Sequence, residues 1–172
     1  IRHDASPVES QGRTGTCWSF SALSFLESEI MRVNKTDKPV VLSEMFIVRK
    51  AYEAKAKKFI RMDGRTNFGE GGAFHDIPYV IKNFGIVPQD VYTGLEKKSD
   101  SYNHGDMFKD LNRIVGDARS QGNGIQQSWV DEYNATLDEN IGELPETFKY
   151  KGEKYTAITF YNSLGIDMND YV

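Results

Sequence analysis

Residues 7–21 read PVESQGRTGTCWSFS, and this stretch decides the fold of the chain and the place of its chemistry. Gly12 and Gly15 make its first half a flexible loop. Apolar residues then recur at helical spacing; they are Phe20, Leu23, Leu26, Ile30 and Val33. This spacing predicts a helix over about residues 17–34, with Cys17 in its first turn.

Cys17 is the single cysteine of the sequence, so the chain forms no internal disulfide. A lone cysteine is either a small buried hydrophobic residue or a nucleophile. Its place at a helix start favours the nucleophile, because the helix dipole and unpaired backbone N–H groups there stabilise a thiolate. The N–H of Cys17 is also a donor for an oxyanion, and the side-chain amide of Gln11 is a candidate second donor.

Residues 11–20 follow the pattern Q-G-x-x-G-x-C-W-x-F, which resembles the nucleophile motif of papain-like cysteine peptidases. The resemblance implies a nucleophilic Cys17, an oxyanion donor at Gln11 and an aromatic Trp18 beside a substrate cleft. It also implies a mainly α chain, the helical left lobe of the papain-like α+β fold. A β-rich second lobe, expected to carry the catalytic His and Asn, would then lie outside this chain.

Residues 69–72 read GEGG and are followed by a predicted helix that ends in NFGIVP at residues 83–88. These stretches resemble the glycine segment of the same family, in which the backbone pairs with an extended substrate. By that likeness Gly71 and Gly72 would line the cleft and bind substrate. Two other interpretations are a plain helix-entry turn and a phosphate-binding loop, although the latter lacks its strand and its Lys-Ser/Thr pair.

Three segments, 7–33, 67–88 and 156–172, carry a resemblance to the bleomycin hydrolase and aminopeptidase C branch. Thr14 stands where secreted members usually have a disulfide-forming cysteine, and an insertion is expected at about 97–154. The branch implies a cytoplasmic enzyme, trimming of peptides from a free N-terminus and frequent assembly as hexamers. An exported protein with its leader removed is the alternative compartment.

The three histidines are His3, His75 and His104. None stands at the position of the family's base, and we expect each to be a surface or structural residue. His75, predicted just inside the third helix, is the one nearest to a cleft-lining motif. One cysteine and three scattered histidines have no metal-ligand spacing, so we expect neither a metal nor another cofactor.

The remaining pattern predicts five more helices and a hairpin. Ser43 is the expected N-cap of a helix whose inner face holds Met45, Val48, Tyr52, Ala56 and Phe59. A third helix ends at Gly85, where a left-handed (αL) residue is expected. A fourth helix ends near Gly122 and carries Met107, Leu111, Ile114 and Ala118. A fifth helix carries Ile125, Trp129, Tyr133, Leu137 and Ile141. Residues 148–155 predict a hairpin, and 157–164 a last short helix.

The chain has 172 residues and a net charge of -4, so we expect one domain over residues 1–172 and no general nucleic-acid binding. The apolar runs are too short to span a membrane, and we expect any targeting peptide to have been removed or never to have been present. The function expected is a cysteine peptidase that is incomplete in this chain. The alternative is an inactive helical interaction module derived from the same fold, which retention of both Cys17 and Gln11 disfavours.

Overall fold

The computed structural model describes residues 5–95, 99–122 and 126–171, which form six α-helices and one two-stranded sheet. The helices are α1 (Cys17–Asn34), α2 (Glu44–Arg61), α3 (Asp76–Phe84), α4 (Gly105–Ser120), α5 (Ser128–Ile141) and α6 (Ala157–Ser163). Strands β1 (Phe148–Tyr150) and β2 (Glu153–Tyr155) pair antiparallel, and a 3-10 helix covers Met168–Tyr171. The prediction of a mainly α fold is confirmed.

Helix α1 has the bounds that the apolar spacing predicts, and it buries Leu23, Leu26 and Ile30 in the core. Val33, the last apolar residue at this spacing, does not share their burial and is 41% exposed. In the last turn, Asn34 makes the contact with the rest of the chain. Its side-chain amide donates to the carbonyl oxygen of Leu164 at 2.8 Å.

Helix α2 lies at the centre of the fold, in contact with α1, α3, α4 and α5. It starts as predicted, because the hydroxyl of Ser43 accepts a hydrogen bond from the N–H of Phe46 at 3.1 Å. Its inner face is buried around Tyr52, whose carbonyl accepts a hydrogen bond from the hydroxyl of Tyr133 on α5 at 3.1 Å. This packing fixes the helix against which the candidate site is built.

Helix α3 begins at Asp76, so His75 is its N-cap and does not lie just inside the helix as predicted. Gly85 follows the helix, with φ 79° and ψ -159°, and the expected αL conformation is therefore wrong. Glycine is needed here for a different reason. A Cβ at this position would lie 2.2 Å from the carbonyl carbon of Ala157, where the N–H of Ile86 donates to the Ala157 oxygen at 3.2 Å.

The region predicted as an insertion, about 97–154, contains α4, α5 and the hairpin. Helices α4 and α5 pack on each other, and the apolar residues predicted for their inner faces are buried. Ile125 lies outside the described residues, and α4 ends at Ser120, two residues before Gly122. The hairpin prediction is confirmed, and α6 ends at Ser163. None of the helices in the described ranges has the length and apolar character that a membrane span needs.

Candidate active site

Cys17 is the first residue of α1, and it is exposed. Thr16 occupies the N-cap position, but its side chain makes no capping hydrogen bond. Its carbonyl accepts from the N–H of Ser19 at 2.9 Å, which closes the first turn. Within the described residues, the N–H of Cys17 has no hydrogen-bond partner. An uncapped helix start of this kind stabilises negative charge on Sγ or on an oxygen beside it.

Gln11 lies half-buried on the loop before α1. Its Nε2 donates to the carbonyl oxygen of Thr14 at 2.6 Å, and the Thr14 hydroxyl donates to the Gln11 carbonyl at 2.9 Å. The loop is also tied to the segment before α4, since the N–H of Arg13 donates to the Tyr102 carbonyl at 2.8 Å. A carboxamide has two N–H groups, so the bond to Thr14 leaves the second for another acceptor.

Glu70 joins the glycine segment to the nucleophile loop. Its Oε2 accepts a hydrogen bond from the N–H of Gly15 at 2.7 Å, and its carbonyl oxygen accepts one from Nε1 of Trp18 at 3.0 Å. These two bonds lie on either side of Cys17 in the sequence. Sequence reasoning missed Glu70, although it is the one charged residue inside the run of glycines at 69–72.

The segment predicted to bind substrate packs on Trp18, which is only 7% exposed. A Cβ added to Gly72 would lie 2.6 Å from the Trp18 ring, whereas one added to Gly71 would meet nothing within 4 Å. Gly72 is therefore required by close packing, and Gly71 is open to a ligand. Trp18 lies beneath the segment and supports it, with Gly71 and Gly72 exposed above.

Lys55 of α2 fixes the orientation of the same segment. Its Nζ donates to the Gly71 carbonyl oxygen at 2.6 Å and lies 5.0 Å from the centre of the Trp18 ring. In a trans peptide the carbonyl and the next N–H point in opposite directions, so this bond directs the N–H of Gly72 away from Lys55. The sequence had no signal for Lys55, which is one of several lysines on α2.

Neither described histidine has a hydrogen bond to Cys17. His75 is exposed at the start of α3, with Nε2 at 3.7 Å from Oδ1 of Asp76. His104 is 2% exposed, and its Nδ1 lies 3.5 Å from the hydroxyl of Tyr52. Burial lowers the pKa of His104 to about 4, so it is neutral at pH 7. His3 lies outside the described residues.

Two buried carboxyl groups lie behind the site, and sequence reasoning missed both. Glu27 accepts hydrogen bonds from the N–H of Leu42 at 2.7 Å and from the hydroxyl of Ser6. Glu44, the first residue of α2, is 3% exposed, and within the described chain its Oε2 has no partner. Burial, opposed by its backbone hydrogen bond and reinforced by Glu27 and Glu9, raises the pKa of Glu44 to about 7. These groups are buried too deeply to reach a substrate.

The geometry thus brings an exposed thiol, an uncapped helix start and an open glycine backbone to one edge of the fold. The Gln11 side chain lies on the same loop but bonds to Thr14. No group of three His, Cys, Asp or Glu side chains that would hold a metal ion occurs in the part of the chain that the structure describes. The arrangement suits attack by a thiolate on a carbonyl carbon of an extended chain.

A family model described as "Papain family cysteine protease" matches residues 2–144. Aminopeptidase C of Lactococcus lactis subsp. lactis (strain IL1403) is 26% identical in an alignment of 197 positions, which covers 96% of this chain and 45% of the relative. Cathepsin K of Mus musculus is 33% identical over 89 residues, 51% of this chain and 22% of the relative. The chain therefore spans less than half the length of the aminopeptidase C that it matches.

A solved structure gives the same picture of the fold. The crystal structure of pepw from lactobacillus rhamnosis hn001 (dr20) superposes with a TM-score of 0.74 at 19% identity. The match covers 99% of this chain and 46% of that chain. At this identity the likeness shows the fold alone. The predicted resemblance to papain-like peptidases, and to aminopeptidase C among them, is confirmed.

Proposed function

Because the chain belongs to the papain family of cysteine proteases, we propose that it supplies the nucleophile-bearing part of a peptidase that hydrolyses peptide bonds through a thioester on Cys17. The observation that carries the proposal is the exposed Cys17 at the uncapped start of α1. Residues 1–172 would then form the helical lobe of that enzyme, with α4, α5 and the hairpin as the insertion at about 97–154.

In the proposed reaction, Sγ of Cys17 attacks the carbonyl carbon of a peptide bond. The carbonyl oxygen becomes an oxyanion, which accepts hydrogen bonds from the N–H of Cys17 and from Nε2 of Gln11. The C–N bond then breaks, the amine leaves with a proton from a general acid, and a thioester remains. Attack by water on the thioester forms a second oxyanion, and its collapse releases the carboxylic acid and restores the thiol.

We propose that the substrate lies in an extended form along Gly71 and Gly72, paired through backbone hydrogen bonds. The support for this is the open space above Gly71 and the orientation that Lys55 gives to the peptide between the two glycines. Trp18 would contribute by holding the segment in place. Glu70 would keep the segment and the nucleophile loop at a fixed separation.

The base that takes the thiol proton is proposed to be a histidine outside the described residues, oriented by an asparagine. The greater length of the aminopeptidase C relative supports this, together with the exposed position of His75 and the burial of His104, neither of which bonds to Cys17. An aminopeptidase-like action, a cytoplasmic location and a hexameric assembly are proposed on the branch resemblance alone.

The test compares the protein as it occurs, including any sequence that flanks these residues, with its Cys17→Ala variant. On fluorogenic aminoacyl and peptidyl amides we expect the variant to lose turnover by at least about 1000-fold. Ser10→Ala, an exposed change on the same loop, is the control and should stay within about twofold. Turnover that survives Cys17→Ala would contradict the proposal, because the nucleophile would then be another group. Absence of turnover in the unmodified protein would leave the interaction module as the better account.

The isolated chain of 172 residues gives a second test, directed at the base. We expect its turnover to stay at background, because neither described histidine bonds to Cys17. Turnover by the isolated chain that disappears in Cys17→Ala and in His75→Ala would instead make His75 the base. The circular dichroism spectrum of each variant checks that it is folded.

A further inference from the structure

A cavity of about 750 Å³ opens beside the glycine segment, between α2 and the start of α3. Gly71 and Gly72 form part of its wall, and Thr66 and Asn67 add polar groups. Its volume is within the range of small-molecule and side-chain pockets. A peptide that lies along the two glycines would therefore have one of its side chains at this cavity.

Three basic side chains of α2 line the cavity: Lys55, Lys58 and Arg61. Over the described ranges, none of them has a carboxylate within ion-pair distance. One acidic residue, Asp76, also lines the cavity; its Oδ2 accepts the N–H of Ala73 at 2.9 Å, and its negative charge offsets one of the three cations by acting on Lys55. The cavity therefore has an excess of positive charge, although the whole chain has a net charge of -4.

Lys55 lies deepest among the three cations. Its ammonium group is partly buried between the Gly71 carbonyl and the Trp18 ring, and burial lowers the pKa of Lys55. An ammonium group with reduced hydration gains more from an anion than one in bulk water does. Lys58 and Arg61 are exposed at the rim, where they would attract an acidic group and orient it.

We propose that this cavity is a specificity subsite for an acidic side chain, Asp or Glu, of the peptide substrate. The inference rests on the proposed function for the direction of the peptide, but it concerns residues that take no part in the chemistry. A carboxylate on a substrate side chain has the size to enter the cavity while its backbone stays on Gly71 and Gly72. Confinement of the three cations to one cavity favours a single carboxylate over a long polyanion.

The first experiment measures binding, so that it does not depend on catalysis. Fluorescently labelled peptides, each with one Glu moved along a neutral sequence and a matched Gln version, are titrated against the Cys17→Ala protein. At one peptide position we expect the Glu version to bind about tenfold more tightly. The advantage should shrink as salt is raised. Equal affinity of Glu and Gln peptides at every position would overturn the proposal.

Charge reversal assigns the effect to the cavity. Lys58→Glu and Arg61→Glu should each remove the preference for Glu peptides, whereas Lys57→Glu is the matched control. Lys57 is exposed on the same helix and does not line the cavity, so its reversal should leave most of the preference. Equal losses from Lys57→Glu and Lys58→Glu would contradict a local subsite. Loss of binding on amidation of the peptide C-terminus would overturn it too, since the free terminal carboxylate would then be the ligand.

Measurement of peptide hydrolysis distinguishes failure of the subsite proposal from failure of the proposed function. Hydrolysis of Glu and Gln peptides at equal rates by the Cys17-containing protein would support the peptidase and contradict the subsite. Selective binding of Glu peptides without Cys17-dependent hydrolysis would support the subsite and contradict the peptidase.

Discussion

The starts of α1 and α2 differ, although both helices have 18 residues and lie side by side in the core. Helix α2 is capped by the hydroxyl of Ser43, which is fully buried. Helix α1 begins with an exposed Cys17, and its N-cap residue Thr16 makes no side-chain cap. At the start of α2 a side chain caps a backbone N–H group, whereas the start of α1 has no side-chain cap.

Under the proposed function, this difference marks a place where the fold gives up stability for reactivity. A side-chain cap contributes about 1 kcal/mol to a helix, and α1 lacks that contribution at the position where a thiolate and an oxyanion would need the same N–H groups. At α2 the capped end has a buried carboxyl, Glu44, that faces no solvent. The open end is thus available to substrate, and the closed end serves packing.

The strongest test of the open end is Gln11→Ala in the complete protein. Loss of one oxyanion donor should lower kcat by roughly 100- to 1000-fold, with a smaller change in KM. Steady-state kinetics on a peptidyl amide measures this. The exposed neighbour change Ser10→Ala is the control, and an unchanged kcat in Gln11→Ala would remove Gln11 from the mechanism.

At the closed end, Glu44→Gln should change how stability depends on pH. The pKa of Glu44 is raised to about 7 in the folded chain, from about 4.3 in an unfolded chain. Between these values the folded state retains a proton that the unfolded state has lost, so wild-type stability falls as pH rises through this window. Glutamine does not titrate. The variant should therefore match the wild type near pH 4 and exceed it by about 3 kcal/mol above pH 7.

Urea unfolding at both pH values measures this difference. The carboxyl groups that face Glu44, those of Glu27 and Glu9, are present in both proteins, so the comparison isolates Glu44. Glu146→Gln, at an exposed position, is the matched control. A constant difference between Glu44→Gln and wild type across this range would contradict the assigned role.

In the glycine segment, Gly72 packs closely on a neighbouring side chain, whereas the adjacent Gly71 faces open space. Gly72→Ala should lower stability by about 1 to 3 kcal/mol, because its Cβ would lie 2.6 Å from the Trp18 ring. Gly71→Ala has free space and should change stability by less than about 0.5 kcal/mol. Thermal unfolding of the two variants measures both effects, and equal losses would show that the packing on Trp18 is misassigned.

Removal of the cap itself should affect stability and leave catalysis unchanged. Ser43→Ala should lower the free energy of unfolding by about 1 to 2 kcal/mol, with no change in kcat. It removes the hydrogen bond that the hydroxyl accepts from the N–H of Phe46 and the one that it donates to the Tyr92 carbonyl. Ser120→Ala, an exposed serine at the end of α4, should change it by only a few tenths. A large loss of kcat in Ser43→Ala would mean that the two helix starts are coupled.

Much of this fold could be predicted because its signals are local. The spacing of Leu23, Leu26 and Ile30 defines α1, and the Ser43 hydroxyl defines the start of α2. Gly85 was misjudged for the opposite reason. Its backbone is set by Ala157, more than seventy residues away in the sequence, and no local pattern contains that approach.

The candidate site also contains residues that a local sequence pattern reveals and residues that only the tertiary structure reveals. Cys17, Gln11 and the glycines form a motif that a sequence displays directly. Glu70 and Lys55 act through hydrogen bonds to backbone atoms of Gly15 and Gly71, and such bonds depend on how loop and helix meet in space. A charged residue in a glycine run, and one lysine among several on α2, give no sign of these contacts in the sequence.

Capture of the acyl-enzyme is the most direct test that Cys17 is the nucleophile. The complete protein is mixed with a slowly hydrolysed peptide ester, quenched in acid within its first turnovers, and mapped by mass spectrometry. We expect an acyl group on Cys17, at a level that falls on further incubation as the thioester is hydrolysed. Hydrolysis of the ester with Cys17 unmodified, or an acyl group on another residue, would contradict it.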